Sequence, residues 1–211
     1  MAHDSTRKPT QLVLLDRDGV INHDSVDYIK SIEEWQPISG SLAAIARLNK
    51  AGINTALCTN QSGISRGKLT ARDLAVIHCR FSQALAREGG HISLWRFCPH
   101  HPDDNCRCRK PKTAMVDDCL AELSVDATET TFIGDSLKDM QAALATRCHP
   151  ILIDNSGNND ISNASNQSSA GARSKLAGQA AALGVTEIVK DLATAAEKIL
   201  QHNNASRTLG K

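Results

Sequence analysis

The feature that most limits what this chain can fold into is a recurring unit: a short apolar run, a polar turn rich in Asp, Thr or Gly, and then a helical pattern. Leu12-Val13-Leu14-Leu15 stops at Asp16-Arg17-Asp18-Gly19, Ile53 to Cys58 stops at Thr59-Asn60-Gln61-Ser62-Gly63, and Thr130 to Ile133 stops at Gly134-Asp135. Apolar runs this short, bounded by turn residues, read as buried strands. Ile92 to Cys98 and Pro150 to Ile153 are further strand candidates. Helices are expected over Ser41 to Lys50, where Leu42, Ile45, Ala46 and Leu48 share a face and Gly52 is a stop, and from Thr70, which forms a capping box with Asp73, to Glu88. Two more are expected at Ala114 to Leu123 and Leu137 to Thr146. Strands alternating with helices predict an α/β fold, a mainly parallel, Rossmann-like sheet with helices on both faces. In such sheets ligands sit beyond the carboxyl ends of the strands, and Asp16, Thr59 and Asp135 each follow a strand directly.

The chain has 211 residues, 41% of them apolar, which suits one α/β domain over 1–211. A formal charge of +1 gives no global pull toward nucleic acid or anionic lipid, so an anionic small molecule would be held by a few placed cations. Met1 to Gln11 is polar and no long apolar run follows, which reads as neither a signal peptide nor a membrane span. The expectation is a cytoplasmic monomer with no nucleic-acid or membrane partner. From Asp154 to Ser174 the composition turns to Asn, Ser and Gly, predicting a flexible surface insertion. Beyond it, Leu176 to Leu183 suggests a short helix, Glu187 to Val189 a last strand, and Asp191 the N-cap of a helix to Gln201 followed by a frayed tail.

Asp16 and Asp18 stand two apart in extended backbone, so both carboxylates face one side, where they repel unless a cation or proton lies between them. Such a pair can divide the labour of phosphoryl transfer, one carboxylate attacking phosphorus and the other handling the leaving group's proton. The plain alternative is an Asp-rich turn. Asp135, with Asp139 close by, adds a hard oxygen ligand suited to Mg²⁺; taken alone, Asp135 could be a helix N-cap and Asp139 a solvated first-turn acid. Thr59 supplies a hydroxyl and neighbouring backbone N–H groups for a phosphoryl oxygen, and Lys110 a positive charge, unless Arg107, Arg109 and Lys110 form only a solvated basic loop.

Together Leu15-Asp16-Arg17-Asp18-Gly19-Val20-Ile21-Asn22, the run Thr59 to Gly67, Arg109-Lys110-Pro111 and the run Gly134 to Asp139 resemble the four ordered motifs of the haloacid dehalogenase (HAD) superfamily. The resemblance implies a HAD fold with a minimal cap. It makes Asp16 the nucleophile that forms an aspartyl-phosphate, and Asp18 the general acid and base, contributing to the Mg²⁺ site through its backbone carbonyl. Thr59 and Lys110 would stabilise the phosphoryl group, and Asp135 would complete the Mg²⁺ site.

Cys98-Pro99-His100-His101 and Cys106-Arg107-Cys108 place three thiols and two imidazoles within the loop 98–108. Three thiols and one histidine can close a tetrahedral Zn²⁺ site with no water ligand, a structural type. Either His100 or His101 could serve. The chain resembles the D-glycero-D-manno-heptose 1,7-bisphosphate phosphatases, and that resemblance selects His100. That likeness implies hydrolysis of the C7 phosphate of a sugar bisphosphate, in ADP-heptose and lipopolysaccharide core biosynthesis. It also implies substrate contacts from Asn60, Gln61, Ser62 and the segment holding Asp24 and Asp27, while Arg109, beside Lys110, is the candidate for the second phosphate because a guanidinium offers two parallel hydrogen bonds. Histidinol-phosphate phosphatases share the zinc loop but usually carry Asp where Ser62 stands. A catalytically silent zinc-binding interaction protein is the alternative from another class. The other four cysteines, Cys58, Cys79, Cys119 and Cys148, read as small hydrophobes.

Overall fold

A computed structural model describes residues 7–154 and 169–209. Its centre is one six-stranded parallel sheet: β1 (Leu12–Leu15), β2 (Asn54–Asn60), β3 (Leu94–Cys98), β4 (Thr130–Gly134), β5 (His149–Ile153) and β6 (Glu187–Val189). The spatial order is β3-β2-β1-β4-β5-β6. The chain therefore steps outward in one direction from β1 and then crosses back to β4 on the other side. This reversal opens a crevice between the carboxyl ends of β1 and β4, where open parallel sheets bind ligands. Leu15 is in register with both Leu57 and Ile133, so Asp16, Cys58 and Gly134 stand at one level, where β1 has ended while β2 runs on through Thr59 to Asn60.

Alternation along the strands sorts side chains between two cores. Val13, Leu15 and Leu57 pack with α1 (Ser41–Lys50), α2 (Ala71–Arg87) and α6 (Leu192–Leu209). Leu12, Leu14, Ala56 and Phe132 pack on the other side with α3 (Ala114–Leu123) and α4 (Leu137–Ala145). Near the sheet edge α5 (Ser169–Ala182) adds Ala180 against Met140 and Leu152. Both faces are covered, as the continuous apolar character of β1 requires. The Thr70–Asp73 capping box is formed, with reciprocal bonds of 3.1 and 2.8 Å.

Two expectations about the C-terminal third are corrected. Residues 155–168 of the expected insertion lie outside the described residues, but the chain is already helical at Ser169. Alanine, the strongest helix former, recurs throughout α5. Nor does the chain fray after Gln201: α6 runs to Leu209. Asn203 is buried, its Oδ1 accepting from the Thr10 N–H at 2.8 Å and its Nδ2 donating to the Thr10 carbonyl at 2.7 Å. A polar residue thus anchors the last helix to the segment entering β1, a contact that helical periodicity does not reveal. Asp191 does cap α6, accepting from the Thr194 N–H at 2.7 Å. Among the described residues no helix is long and apolar enough to cross a membrane.

Candidate active site

A cleft of about 610 Å³ opens at the carboxyl end of the sheet, with Asp16, Asp18, Thr59, Lys110 and Asp135 on its walls. The Lys110 Nζ lies 3.0 Å from Asp16 and 2.6 Å from Asp139, and Lys110 and Asp139 are sealed from solvent. Burial opposes the charge on Lys110, yet Asp139 and Asp16 outweigh it and hold the ammonium above its ordinary range. One lysine does not balance this much negative charge. Burial, with repulsion from Asp139 and Asp18, pushes Asp16 up to about 6 against the pull of Lys110. Burial and the charges of Asp16 and Asp139 push Asp135 up to about 8. Carboxylate oxygens of Asp16, Asp135 and Asp139 all lie within 4.8 Å of one another, a hard, electron-rich set that fits a divalent cation such as Mg²⁺.

Two glycines make this crowding possible. A Cβ on Gly19, which sits at φ 76°, would lie 1.8 Å from an Asp135 carboxylate oxygen; a Cβ on Gly134 would lie 2.3 Å from the Asp139 Cβ. Neither position accepts a side chain while the acids keep their places. Asp139 belongs to the site more firmly than a solvated first-turn acid would. Its Oδ2 accepts from the Ser136 backbone N–H at 3.1 Å and hydroxyl at 2.6 Å, capping α4, while its Oδ1 faces Lys110. The Ser-x-x-Asp spacing at the start of a helix was the available sequence signal.

Arg17 is likewise more central than a residue between two acids suggests. Fully buried, it grips Asp18 in a fork, Nε to Oδ1 at 3.0 Å and Nη2 to Oδ2 at 2.9 Å. Asn22 Nδ2 reaches Asp18 Oδ1 at 2.9 Å, and Gln61 Nε2 reaches Oδ2 at 2.8 Å. Behind this network lies His78, its ring tilted 39° to Trp95 at 4.8 Å between ring centres; burial and then the Arg17 charge push it down to about 3.

The residues expected to meet substrate separate into two groups. Asp24, Ser62 and Arg109 line the cleft, and Arg109 turns a buried guanidinium nitrogen toward no protein partner. Asn60 and Gln61 also border it, but their amides are largely occupied by the protein. Asn60 Oδ1 accepts from the Lys110 N–H at 3.0 Å and its Nδ2 donates to the Lys110 carbonyl at 3.2 Å, fixing the lysine's backbone. Asp27 does not line the cleft: its exposed carboxylate is held by Lys68 at 3.0 Å and Lys30 at 3.2 Å. Both acids are exposed, but only Asp24 borders the cleft.

Cys98, His100, Cys106 and Cys108 converge beside this cleft. Their ligand atoms stand 3.6 Å apart for Cys98–His100, Cys98–Cys106 and Cys106–Cys108, and 3.2 Å for His100–Cys108. Sulfurs around a tetrahedral zinc at about 2.3 Å lie about 3.8 Å apart, so this cage is sized for such an ion. His101 turns away, its Nδ1 accepting from the Asp103 N–H at 3.3 Å. Burial raises the Cys98 thiol to about 12. At Cys106 burial is outweighed by the Arg109 N–H and the neighbouring thiols, which bring it to about 7. Cys108 directly precedes Arg109 and Lys110, so the cluster and both cations share one loop.

Residues 4–146 match the model of the haloacid dehalogenase-like hydrolases, and residues 107–195 a second model of HAD-like hydrolases. The chain is 49% identical over 142 residues to a D-glycero-β-D-manno-heptose-1,7-bisphosphate 7-phosphatase of Pseudomonas aeruginosa, spanning 67% of this chain and 80% of that protein. It is 41% identical over 191 residues to the enzyme of the same name from Bordetella bronchiseptica, 90% of this chain and 98% of that one. The crystal structure of the D,D-heptose 1,7-bisphosphate phosphatase from B. bronchiseptica, complexed with magnesium and phosphate, superposes with a TM-score of 0.78 at 40% identity, covering 91% of this chain and 99% of that one. The corresponding enzyme from Burkholderia thailandensis gives 0.61 at 32% identity, over 90% and 99% of the two chains.

Proposed function

The chain belongs to the haloacid dehalogenase-like hydrolases, and from that premise we propose that it is a Mg²⁺-dependent phosphatase that removes the C7 phosphate of D-glycero-D-manno-heptose 1,7-bisphosphate. The chemistry rests on one observation: Asp16, level with the end of β1, stands beside Lys110 and Asp135 in the crevice where the sheet reverses direction. The substrate rests on relatives of that name matched over nearly their whole length.

In the first step Asp16 attacks phosphorus, the bond to the C7 oxygen breaks, and Asp18 gives that oxygen its proton. In the second, water attacks the phosphorus of the aspartyl-phosphate, Asp18 takes the water's proton, the bond to the Asp16 oxygen breaks, and inorganic phosphate leaves. Lys110 and the Thr59 hydroxyl hold the phosphoryl oxygens as charge moves between attacking and leaving atoms, the main task in phosphoryl transfer. Asp16, Asp135 and the Asp18 backbone carbonyl would hold Mg²⁺, which supplies the positive charge Lys110 alone cannot. Cys98, His100, Cys106 and Cys108 would hold Zn²⁺, whose contribution is to keep the loop before Arg109 and Lys110 in one shape. Arg109, with its buried unpaired nitrogen, offers two parallel hydrogen bonds to the second phosphate.

The test is phosphate release, with and without Mg²⁺, from the heptose bisphosphate, a sugar monophosphate and histidinol phosphate. The bisphosphate should have the highest kcat/KM. A preference for histidinol phosphate would overturn the substrate assignment, and no release from any of the three would overturn the chemistry.

A further inference from the structure

The Asp18 carboxylate is the most heavily bonded group at the site. A carboxylate has about four acceptor positions, and here all four are met: two by the Arg17 fork, one by Asn22, one by Gln61. The supports are themselves supported. Asn22 Oδ1 accepts from the Trp35 Nε1 at 3.1 Å, and Gln61 Oε1 accepts from Arg17 Nη2 at 3.1 Å. Gln61 Nε2 also donates to the Thr59 hydroxyl at 3.0 Å. Gln61 is almost fully buried. Its amide therefore touches, at once, the group that handles the proton, the cation that neutralises it, and the hydroxyl that faces the phosphoryl oxygens.

We propose that Gln61 is a positioning residue, which with Arg17 holds the Asp18 carboxylate toward the leaving oxygen, ties it to Thr59, and gives up its bond to Oδ2 so that this oxygen can carry the proton. The proposal rests on the reading of Asp18 as the acid and base. It departs from the expectation that Gln61 contacts substrate, because both ends of its amide are engaged by the protein. Arg17 and Asn22 form the fixed side of the clamp, since Arg17 is buried with Asp18 as its charged partner and Asn22 is pinned by Trp35. Gln61 is the side shared with the cleft, so any turn of Asp18 toward or away from the leaving oxygen must stretch or release the Gln61 bond. Misplacing a proton donor by a fraction of an ångström already costs rate, because the transfer requires hydrogen-bond reach.

A purely structural or substrate-contacting Gln61 would affect all substrates alike, whereas a lost proton angle matters only when the leaving group needs a proton. The experiment is single-turnover release of the leaving alcohol by the full-length Gln61→Met enzyme with Mg²⁺. Two phosphates are compared: the heptose bisphosphate, whose alkoxide leaves poorly, and 2,4-dinitrophenyl phosphate, whose phenolate leaves without help. Release from the bisphosphate should slow by about tenfold or more, and by several times more than release from the aryl phosphate, which shares only the Thr59 contact. Asp18→Asn is the reference and should show the same selectivity more strongly. An equal loss on both phosphates, a change confined to KM, or no change in Gln61→Met would overturn the proposal. If Asp18→Asn itself shows no selectivity, it is the assignment of Asp18 that fails. Should Gln61→Met not fold, Gln61→Asn, which keeps the amide but sets it one methylene short of Asp18, takes its place: the same selectivity supports the proposal, and an equal loss or no change overturns it.

Discussion

The Lys110 ammonium and the Asp139 carboxylate meet at 2.6 Å in a space closed to solvent. Without Asp139 the ammonium keeps only Asp16, 3.0 Å away, and α4 loses its cap. Asp139→Ala should therefore lower stability by about 1 kcal/mol, the worth of a lost cap, read in denaturant unfolding, and cut kcat by letting Lys110 turn wholly toward Asp16. Asp139→Asn, which keeps the α4 cap but loses the charge, should be milder in stability and still impaired in kcat. Wild-type turnover in either variant would show that Lys110 does not need this anchor.

Magnesium dependence should vary with pH in a defined direction. Asp16 and Asp135 are pushed up to about 6 and about 8 without metal. Groups raised in the folded state favour folding while protonated, so their contribution is complete below the ordinary carboxylate range near pH 4 and fades as pH rises through 6 and 8. A divalent cation binds the ionised forms and replaces the lost protons. Thermal unfolding of the zinc-loaded protein should thus show a Mg²⁺-induced rise that is several degrees larger at pH 8 than at pH 5. Asp135→Asn should remove most of that difference. A Mg²⁺ effect independent of pH would contradict the assignment of these carboxylates.

The thiol cage should carry about one zinc per chain, since four ligands close the site. Cys106→Ser should reduce the zinc content measured by elemental analysis and loosen the loop, lowering kcat without touching Asp16. Freshly purified protein with no zinc would remove the metal reading.

Arg109→Ala should raise KM for the bisphosphate and shrink its advantage over a sugar monophosphate by about tenfold or more, the worth of a lost charged hydrogen-bond pair. Aryl phosphate hydrolysis should change much less. An equal effect on all substrates would place Arg109 outside the recognition of the second phosphate.

The parallel sheet was legible because its strands are short, continuous and apolar, and because Asp16, Thr59 and Asp135 mark their ends. The cysteine and histidine cluster was legible for a similar reason: its four side chains lie within one short loop. What escaped was set by distant packing. Nothing local to Asp139 announces a buried lysine from another loop, and nothing near Asn60 or Gln61 says that their amides face Lys110 and Asp18. The Asp24 and Asp27 pair could not be separated without the turn that sets only Asp24 on the cleft wall. The long α6 depended on Asn203 meeting Thr10, nearly the whole chain away.

The central claim is that Asp16 takes the phosphoryl group from C7, and phosphorus NMR of the heptose 1,7-bisphosphate incubated with enzyme and Mg²⁺ reads that directly. The C7 phosphate signal should give way to inorganic phosphate while the C1 signal persists, and Asp16→Asn, folded to the same unfolding temperature within a few degrees, should show no conversion on that timescale. Loss of the C1 phosphate instead, or steady turnover by Asp16→Asn, would contradict it.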